Sequence, residues 1–281
     1  MPTNQQRREA AKRKLERQLA NRAERAKKRR IWTAGITIGA VVVVAGLITL
    51  LVVLNSGGSS TPAAQPSDAS TPPSTPQAPP LTNGPCKYTT ASSPAAKQVA
   101  PPPDVDPTPN TGTAKVLLKT NQGDIPVTID RSKAPCTAQA IEHLVKSKYY
   151  DGVPCHRLTG GDSLKVLQCG DPSGQGNGGP GFEIKDELPT GLKPDPTGQA
   201  VIYPRGALAM ANSGPNTNGS QFFLVYGDST LGPNYTLFGN VDPAGLTTID
   251  KIAAGGITPG QNGPTDGAPK NPVTITTATE S

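Results

Sequence analysis

Hydrophobic and polar residues follow regular patterns mainly after residue 113. Residues 124–130 alternate between apolar and polar side chains, which predicts a strand with one buried face. Residues 134–148 place apolar side chains three and four positions apart, which predicts an amphipathic helix with Pro135 in its first turn. The same reasoning predicts a second short helix near 246–253 and further strands at 115–119, 153–158, 164–169, 207–210, 222–225, 235–241 and 272–277. Many strands with two separated helices fit a mainly β fold, a closed antiparallel barrel capped by the helices.

A longer apolar segment precedes this region. Residues 31–54 contain no charged side chain and are rich in Ile, Val and Leu. At about 1.5 Å per residue, a helix of this length spans the roughly 30 Å hydrocarbon layer of a membrane. Residues 1–30 carry twelve Lys or Arg and three Glu, so the formal charge of +6 belongs to this basic tail. Because positive residues stay on the cytoplasmic side, we predict a single-pass protein of the cell membrane with a cytoplasmic N-terminus and an extracytoplasmic domain.

Two alternatives compete with this interpretation. A cleaved signal peptide has a shorter apolar region, of roughly 7 to 15 residues, followed by a small-residue cleavage site, and the segment fits neither condition well. The basic tail is also of a kind that binds nucleic acid, but its position beside the apolar segment favours an anionic membrane surface. We therefore expect an uncleaved anchor at 31–54 and no nucleic-acid partner.

Residues 55–113 consist mostly of Pro, Ser, Thr, Ala and Gly, and few of them are large and apolar. Such a composition does not provide a packed core, and it predicts a disordered linker that is partly polyproline II. Cys86 is the exception, because a disordered linker has no evident use for a cysteine. The folded domain is expected at 114–281.

The most distinctive segment is GALAMANSGPNTNGSQFFLVY, residues 206–226. Two short apolar strands flank a long loop of Asn, Gly, Ser and Pro, so we expect the loop to present its polar groups on a rigid scaffold. Its centre, MANSGPNTNGSQFF, resembles the signature of the cyclophilins, which are peptidyl-prolyl isomerases, and the chain is similar to their membrane-anchored actinobacterial members. HRL at 156–158 and QCGD at 168–171 strengthen the resemblance, which covers about 114–277.

The resemblance implies an eight-stranded cyclophilin-like barrel and an isomerase that acts on X-Pro bonds in exported proteins, with proline-containing polypeptides as its partners. It implies that Arg157 is the catalytic residue and that neither a metal nor a cofactor is needed. The substrate-binding residues that it implies are Gln168, Val166, Gly176, Ala211, Asn212, Ser213, Gln221, Phe223, Leu231 and Tyr235.

The chain departs from the family pattern near the expected proline pocket. Ten residues separate Arg157 from the next glutamine, three more than is usual, and either Val166 or Leu164 takes the place of the usual Phe-Met pair. Thr230 and Tyr235 stand where cyclosporin-binding members have Trp and His. Loss of an indole N–H donor and of a large aromatic face predicts weak or absent cyclosporin binding. The altered pocket also motivates an alternative function, a module that binds X-Pro segments with little catalysis.

Other chemistries are less well supported. GNGGPG at 176–181 matches the dinucleotide fingerprint in form, but it lacks the preceding strand and the helix that the fingerprint opens. His143 and His156 are the only histidines, and no Gly-x-Ser-x-Gly elbow accompanies them, which argues against a Ser-His-Asp hydrolase. Two histidines and four scattered cysteines do not form a metal-binding pattern.

Four cysteines allow three disulfide connectivities, and all four follow the predicted membrane segment, on the side where disulfides persist. Cys155 and Cys169 fall on consecutive predicted strands, so we predict that they pair. Cys86 would then tie the end of the linker to Cys136 at the start of the first helix.

Overall fold

The computed structural model of the chain describes residues 84–280. The predicted basic tail at 1–30, the predicted membrane helix at 31–54 and the first part of the predicted linker lie outside the described residues. Within residues 84–280, neither helix is both long and apolar enough to cross a membrane.

Strands dominate the described region. Its two helices are α1 (Pro135–Lys146) and α2 (Pro243–Ala254), and each begins with a proline, whose missing N–H breaks no helical hydrogen bond at that position. The strands are β1 (Thr89–Thr90), β2 (Thr113–Thr120), β3 (Gly123–Asp130), β4 (Val153–Cys155), β5 (Arg157–Thr159), β6 (Lys165–Cys169), β7 (Phe182–Glu183), β8 (Lys193–Pro194), β9 (Val201–Tyr203), β10 (Ala207–Met210), β11 (Phe222–Gly227), β12 (Ser229–Leu231), β13 (Leu237–Val241), β14 (Ile257–Gly260), β15 (Gly263–Pro269) and β16 (Val273–Glu280).

Eleven of these strands form one antiparallel sheet in the order β14-β15-β5-β6-β11-β10-β13-β3-β2-β16-β4. Only His156 separates β4 from β5, yet β4 pairs with β16 and β5 pairs with β6. The sheet therefore curls back on itself at residues 153–159. It has more strands than the predicted eight because β14 and β15 form an unpredicted hairpin at one edge, and because His156 divides one predicted strand into two. The smaller sheets are β1-β7 and β12-β9-β8.

Two central strands, β10 and β11, are buried on both faces over most of their length, which explains their nearly continuous apolar sequences. Alternate residues of a strand point to opposite faces of the sheet. In β11, Phe222 and Leu224 therefore join the main core, whereas Phe223 and Val225 join a second apolar cluster. The helices cover the main core, to which they contribute Ala138, Ala140, Ile141, Leu144, Val145, Ile249 and Ile252.

The segment 84–112, which we call the N-terminal strap, packs on the domain and so corrects the last part of the linker predicted at 55–113. β1 in the strap pairs with β7, and three backbone N–H groups of the strap donate to carbonyl oxygens of residues 179–181 at 3.0 Å. The carboxylate of Asp104 accepts the N–H groups of Cys86 and Lys87 at 2.6 and 3.1 Å. Few large apolar side chains occur here, so composition alone predicted disorder, but backbone hydrogen bonds hold the segment in place. The folded domain thus begins before residue 114.

Two disulfides reinforce this arrangement, and they are the pairs expected from the sequence. Cys86 pairs with Cys136 across a separation of 50 residues and ties the strap to α1. Cys155 pairs with Cys169 across a separation of 14 residues and ties β4 to β6. Each therefore joins neighbouring parts of the fold that regular strand pairing leaves unconnected.

Candidate active site

Three polar side chains form a row across neighbouring strands: Arg157, Gln168 and Gln221, the last of which directly precedes β11. Arg157 on β5 is paired with Gln168 on β6, which is paired in turn with Phe223 on β11. The Nη1 group of Arg157 donates to Oε1 of Gln168 at 3.2 Å, and Nε2 of Gln168 donates to Oε1 of Gln221 at 3.0 Å. Nε2 of Gln221 donates to the carbonyl oxygen of Gly178 at 3.0 Å. This polar row links the predicted catalytic arginine to the glycine-rich loop and fixes the orientation of both amides.

Arg157 also forms a two-point ion pair with Asp266, a residue of β15. Its Nε and Nη2 groups donate to the two carboxylate oxygens, each at 2.8 Å. The side chains are 34% and 18% exposed, so the pair is only partly open to solvent. The hydrogen bond from Arg157 lowers the pKa of Asp266, and the same bond raises the pKa of Arg157. Each partner therefore stabilises the charged form of the other.

The second apolar cluster lies beside the polar row. Phe223 and Val166 are buried in it, and Leu231, Tyr235 and Leu164 pack around them. The rings of Phe223 and Tyr235 meet edge to face with their centroids 5.5 Å apart. The sequence left open whether Val166 or Leu164 replaces the usual Phe-Met pair. Both residues belong to the cluster, and Val166 is the buried one. Four predicted substrate-binding residues are thus brought together in one apolar cluster.

The segment from Ala211 to Ser213 follows β10 and forms an edge next to the polar row. The N–H of Ala211 donates to the carbonyl oxygen of Gln221 at 2.9 Å. Nδ2 of Asn212 donates to the carbonyl oxygen of Asn234 at 2.9 Å, so the loop is fastened on both sides. Ser213 is exposed at the rim. These three residues, which the family resemblance implies to be substrate-binding, therefore lie next to the polar row.

The glycine-rich loop folds around the carboxylate of Asp171, which is buried. Its oxygens accept four backbone N–H groups of residues 173–177 at 2.7 to 3.1 Å. Burial alone would raise the pKa of Asp171, but hydrogen bonds from Ser173 and the loop backbone lower it. Asp171 therefore occupies N–H groups that a bound phosphate would need, and no helix begins in 171–181. This explains why the fingerprint at 176–181 does not indicate a nucleotide site.

A cavity of about 160 Å³ opens between the polar row, the glycine-rich loop and the strap. Its lining includes Gln168, Gly176, Asn212 and Gln221, all of which the sequence predicted as substrate-binding residues. Residues 91–94 of the strap form a further wall, which the sequence did not predict. The cavity lies on the polar side of the site, next to the edge that begins at Ala211.

The two histidines occupy separate places. Nε2 of His143 on α1 lies 3.0 Å from the carbonyl oxygen of Ala100 in the strap, so this side chain fastens the strap. His156 precedes Arg157, and burial lowers its pKa. Within residues 84–280, no three His, Cys, Asp or Glu side chains are grouped as a metal site.

Sequence reasoning missed Asp266 and the strap. Asn262-Gly263 is a strong hairpin signal, so the turn between β14 and β15 could have been predicted. The pairing of Asp266 with Arg157 could not have been predicted, because the two residues are 109 positions apart and no local pattern indicates such a contact.

Comparisons with known proteins identify the family of the chain. The family model described as "Cyclophilin type peptidyl-prolyl cis-trans isomerase/CLD" matches residues 115–280. A probable peptidyl-prolyl cis-trans isomerase B of Mycobacterium leprae is 45% identical, over 98% of this chain and 98% of its own length. The corresponding protein of Mycobacterium tuberculosis H37Rv is 45% identical over 68% of this chain and 62% of its own. The chain also matches a crystal structure of a Cryptosporidium parvum cyclophilin with 28% identity and a TM-score of 0.48. The match covers 60% of this chain and 98% of the Cryptosporidium parvum chain. From the family match and the similarity along both full lengths, the chain belongs to the cyclophilin-type peptidyl-prolyl cis-trans isomerases.

Proposed function

We propose that this isomerase acts on X-Pro bonds of exported proteins and that Arg157 is its catalytic residue. The observation that supports the assignment best is a fixed hydrogen-bond donor beside an apolar cluster. Arg157 is held in the polar row, and Gln168, which binds it, is paired with Phe223 of the apolar cluster. Acceleration of rotation about an X-Pro bond would use both features, the donor to stabilise the twisted amide and the cluster to hold the proline ring.

The physical reason lies in the electronic structure of the amide. The barrier to rotation is about 18 to 20 kcal/mol because the nitrogen lone pair is delocalised over the planar amide. In the twisted state the lone pair is localised on the prolyl nitrogen and accepts a hydrogen bond. An arginine N–H directed at that nitrogen therefore stabilises the twisted state more than the planar one, which is what lowers the barrier.

The remaining site residues would hold the substrate around this bond. The apolar cluster would hold the proline ring, with its partly exposed members Leu231 and Tyr235 nearest to solvent. The edge from Ala211 to Ser213 would bind the substrate backbone next to the ring. The cavity beside Gln221 would then receive a neighbouring side chain of the substrate, with residues 91–94 of the strap as part of its wall.

The curled sheet is proposed to be a closed eight-stranded barrel, the architecture implied by the family. Residues 153–159 contain β4, which pairs with β16, and β5, which pairs with β6. The Cys155–Cys169 disulfide lies at that junction. If β4 and β5 are counted as one strand and the β14–β15 hairpin is left out, the eleven strands of the sheet become eight.

The isomerase domain is proposed to lie outside the cytoplasm, anchored by residues 31–54. The basic residues at 1–30 support this orientation, and the two disulfides fit an oxidising compartment. Alkaline phosphatase, which is active only after export, should be active when it is fused after residue 83 and inactive when it is fused after residue 30. An active fusion after residue 30 would contradict the orientation.

A second function, X-Pro binding without useful catalysis, is favoured by one observation. Asp266 and Gln168 already engage Nε, Nη1 and Nη2 of Arg157, so the guanidinium is less free than an unpaired one. Isomerisation remains the better proposal because a guanidinium has five N–H donors and these contacts use three.

Cis/trans exchange of an Ala-Pro peptide, measured by NMR with the full chain in detergent micelles, separates the two functions. The R157A variant should lose on the order of 10² in rate, the usual cost of one preorganised donor. R205A is the matched control, since it removes an arginine that forms a similar two-point pair with Asp250, outside the row and the cavity. A wild-type chain that binds the peptide but leaves exchange at the uncatalysed rate would instead support the binding module.

A further inference from the structure

We infer that Asp266 is a positioning residue for Arg157, and that the β14–β15 hairpin is therefore part of the catalytic apparatus. This inference rests on the proposed role of Arg157. Asp266 comes from a hairpin outside the segments that carry the family signature, and its carboxylate binds the guanidinium at two points.

The contacts around the guanidinium assign a separate role to each N–H group. Asp266 accepts from Nε and Nη2 at 2.8 Å, and Gln168 accepts from Nη1 at 3.2 Å. Three of the five donors are thus engaged, and one on each of Nη1 and Nη2 remains for a substrate. A two-point pair fixes the plane of the guanidinium as well as its position, which a single bond to Gln168 cannot do.

The hairpin holds Asp266 rigidly against the strand that carries Arg157. β15 pairs with β5, where Asp266 is opposite Thr159, and the N–H of Gly160 donates to the carbonyl oxygen of Thr265 at 2.9 Å. Nδ2 of Asn262, in the hairpin turn, donates to Oδ2 of Asp266 at 3.2 Å. The carboxylate is therefore oriented by its own strand and by the turn.

Two opposing effects would follow from removal of the carboxylate. The guanidinium would lose its fixed plane, which slows the reaction, and it would also lose a neutralising partner, which strengthens its field. The first effect should be larger, because the prolyl nitrogen carries no net charge in either state. Its interaction with Arg157 is a directional hydrogen bond, so orientation matters more than net charge.

The test is the Ala-Pro exchange assay with the full chain in detergent micelles. D266N should lower the exchange rate about tenfold to a hundredfold, mainly in kcat, since a small misplacement of a reacting group costs rates of this order. D266E should recover part of the rate because it restores a carboxylate. D250N, which removes the equivalent partner of Arg205, should stay near the wild-type rate.

A double-mutant cycle separates positioning from a merely structural role. If Asp266 acts through Arg157, D266N should have no further effect on the residual rate of R157A. An equal fall in both backgrounds, or a folded D266N with the wild-type rate, would overturn the inference. If R157A itself retains the wild-type rate, the proposed function fails; if R157A is slow and D266N is not, only the role of Asp266 fails.

A further measurement needs no variant, and so it applies even if D266N does not fold. A two-point ion pair hinders rotation of the guanidinium, so NMR of the wild-type chain should resolve separate Nη resonances for Arg157. A single averaged Nη resonance would overturn the inference.

Discussion

The two disulfides should differ in how much they stabilise the domain, and the difference can be calculated from the chain lengths that they close. A disulfide restricts the unfolded chain by an entropy of about −2.1 − 1.5R ln n cal/mol/K, where n is the number of residues in the loop. The separations are 50 residues for Cys86–Cys136 and 14 for Cys155–Cys169. At 25 °C these lengths give about 4 and about 3 kcal/mol. The disulfide of the strap should therefore contribute more to stability.

Paired variants allow each disulfide to be measured without the cost of truncating a buried side chain. C155A/C169A retains only the strap disulfide, and C86A/C136A retains only the disulfide between β4 and β6. The free energy of unfolding of each variant is determined in guanidinium chloride, with near-ultraviolet circular dichroism of the tyrosines as the signal, before and after reduction. Reduction should cost about 4 kcal/mol in C155A/C169A and about 3 kcal/mol in C86A/C136A.

One result would refute this reasoning. If reduction of C155A/C169A changes the free energy of unfolding by less than about 1 kcal/mol, the strap disulfide does not restrict the unfolded chain as the loop calculation requires. The strap would then be held mainly by its hydrogen bonds to residues 179–181.

Three shorter predictions concern the loop and the pocket. G178A should destabilise the domain by about 1 to 3 kcal/mol, because the added Cβ would collide with the carboxylate of Asp171 and the methyl group of Ala96; G179A, where nothing lies within 4 Å, is the control. The pKa of Asp171 is lowered in the folded state, so its stabilising effect is complete above the unfolded value of about 4 and is lost as the pH falls through the folded value. The loss of stability in D171N should therefore shrink below pH 4. T230W should tighten cyclosporin binding measured by calorimetry, because it restores an indole donor.

Each of these predictions has a contrary outcome. Equal unfolding midpoints for G178A and G179A would show that the loop yields to the added methyl group. A stability difference for D171N that is the same at pH 3 and pH 7 would rule out an ionised carboxylate as its source. A submicromolar dissociation constant for cyclosporin with the wild-type chain would contradict the expected weak binding before T230W is tested.

Local patterns predicted the parts of the fold that are held by burial. The alternation in β3 and the helical spacing in α1 correspond to buried faces, and both elements lie where they were predicted. The apolar runs of β10 and β11 were also recognised, because strands that are buried on two faces need apolar residues at every position. The grouping of Phe223 with Tyr235 came from the family resemblance, since no periodicity relates these two residues.

Parts that are held by polar contacts could not be predicted in this way. The strap has the composition of a linker, and besides its disulfide it is held by backbone hydrogen bonds to residues 179–181, which are distant in sequence. A backbone hydrogen bond is available to almost any residue, so it leaves no trace in composition. Cys86 was the one residue in the strap whose chemistry indicated a fixed partner.

The position of Arg157 explains why its two side-chain partners come from separate parts of the chain. β5 lies between β6 and β15 in the sheet, so one neighbouring strand supplies Gln168 and the other supplies Asp266. A side chain on an inner strand reaches the strand on either side of it, and in this sheet β6 directly follows β5 in sequence whereas β15 lies about a hundred residues later. A neutral acceptor on one side and a charged acceptor on the other engage three of the five N–H donors of the guanidinium, and the proposed function assigns the other two to the substrate. The order of the strands, rather than any local motif, therefore decides which donors of Arg157 remain available.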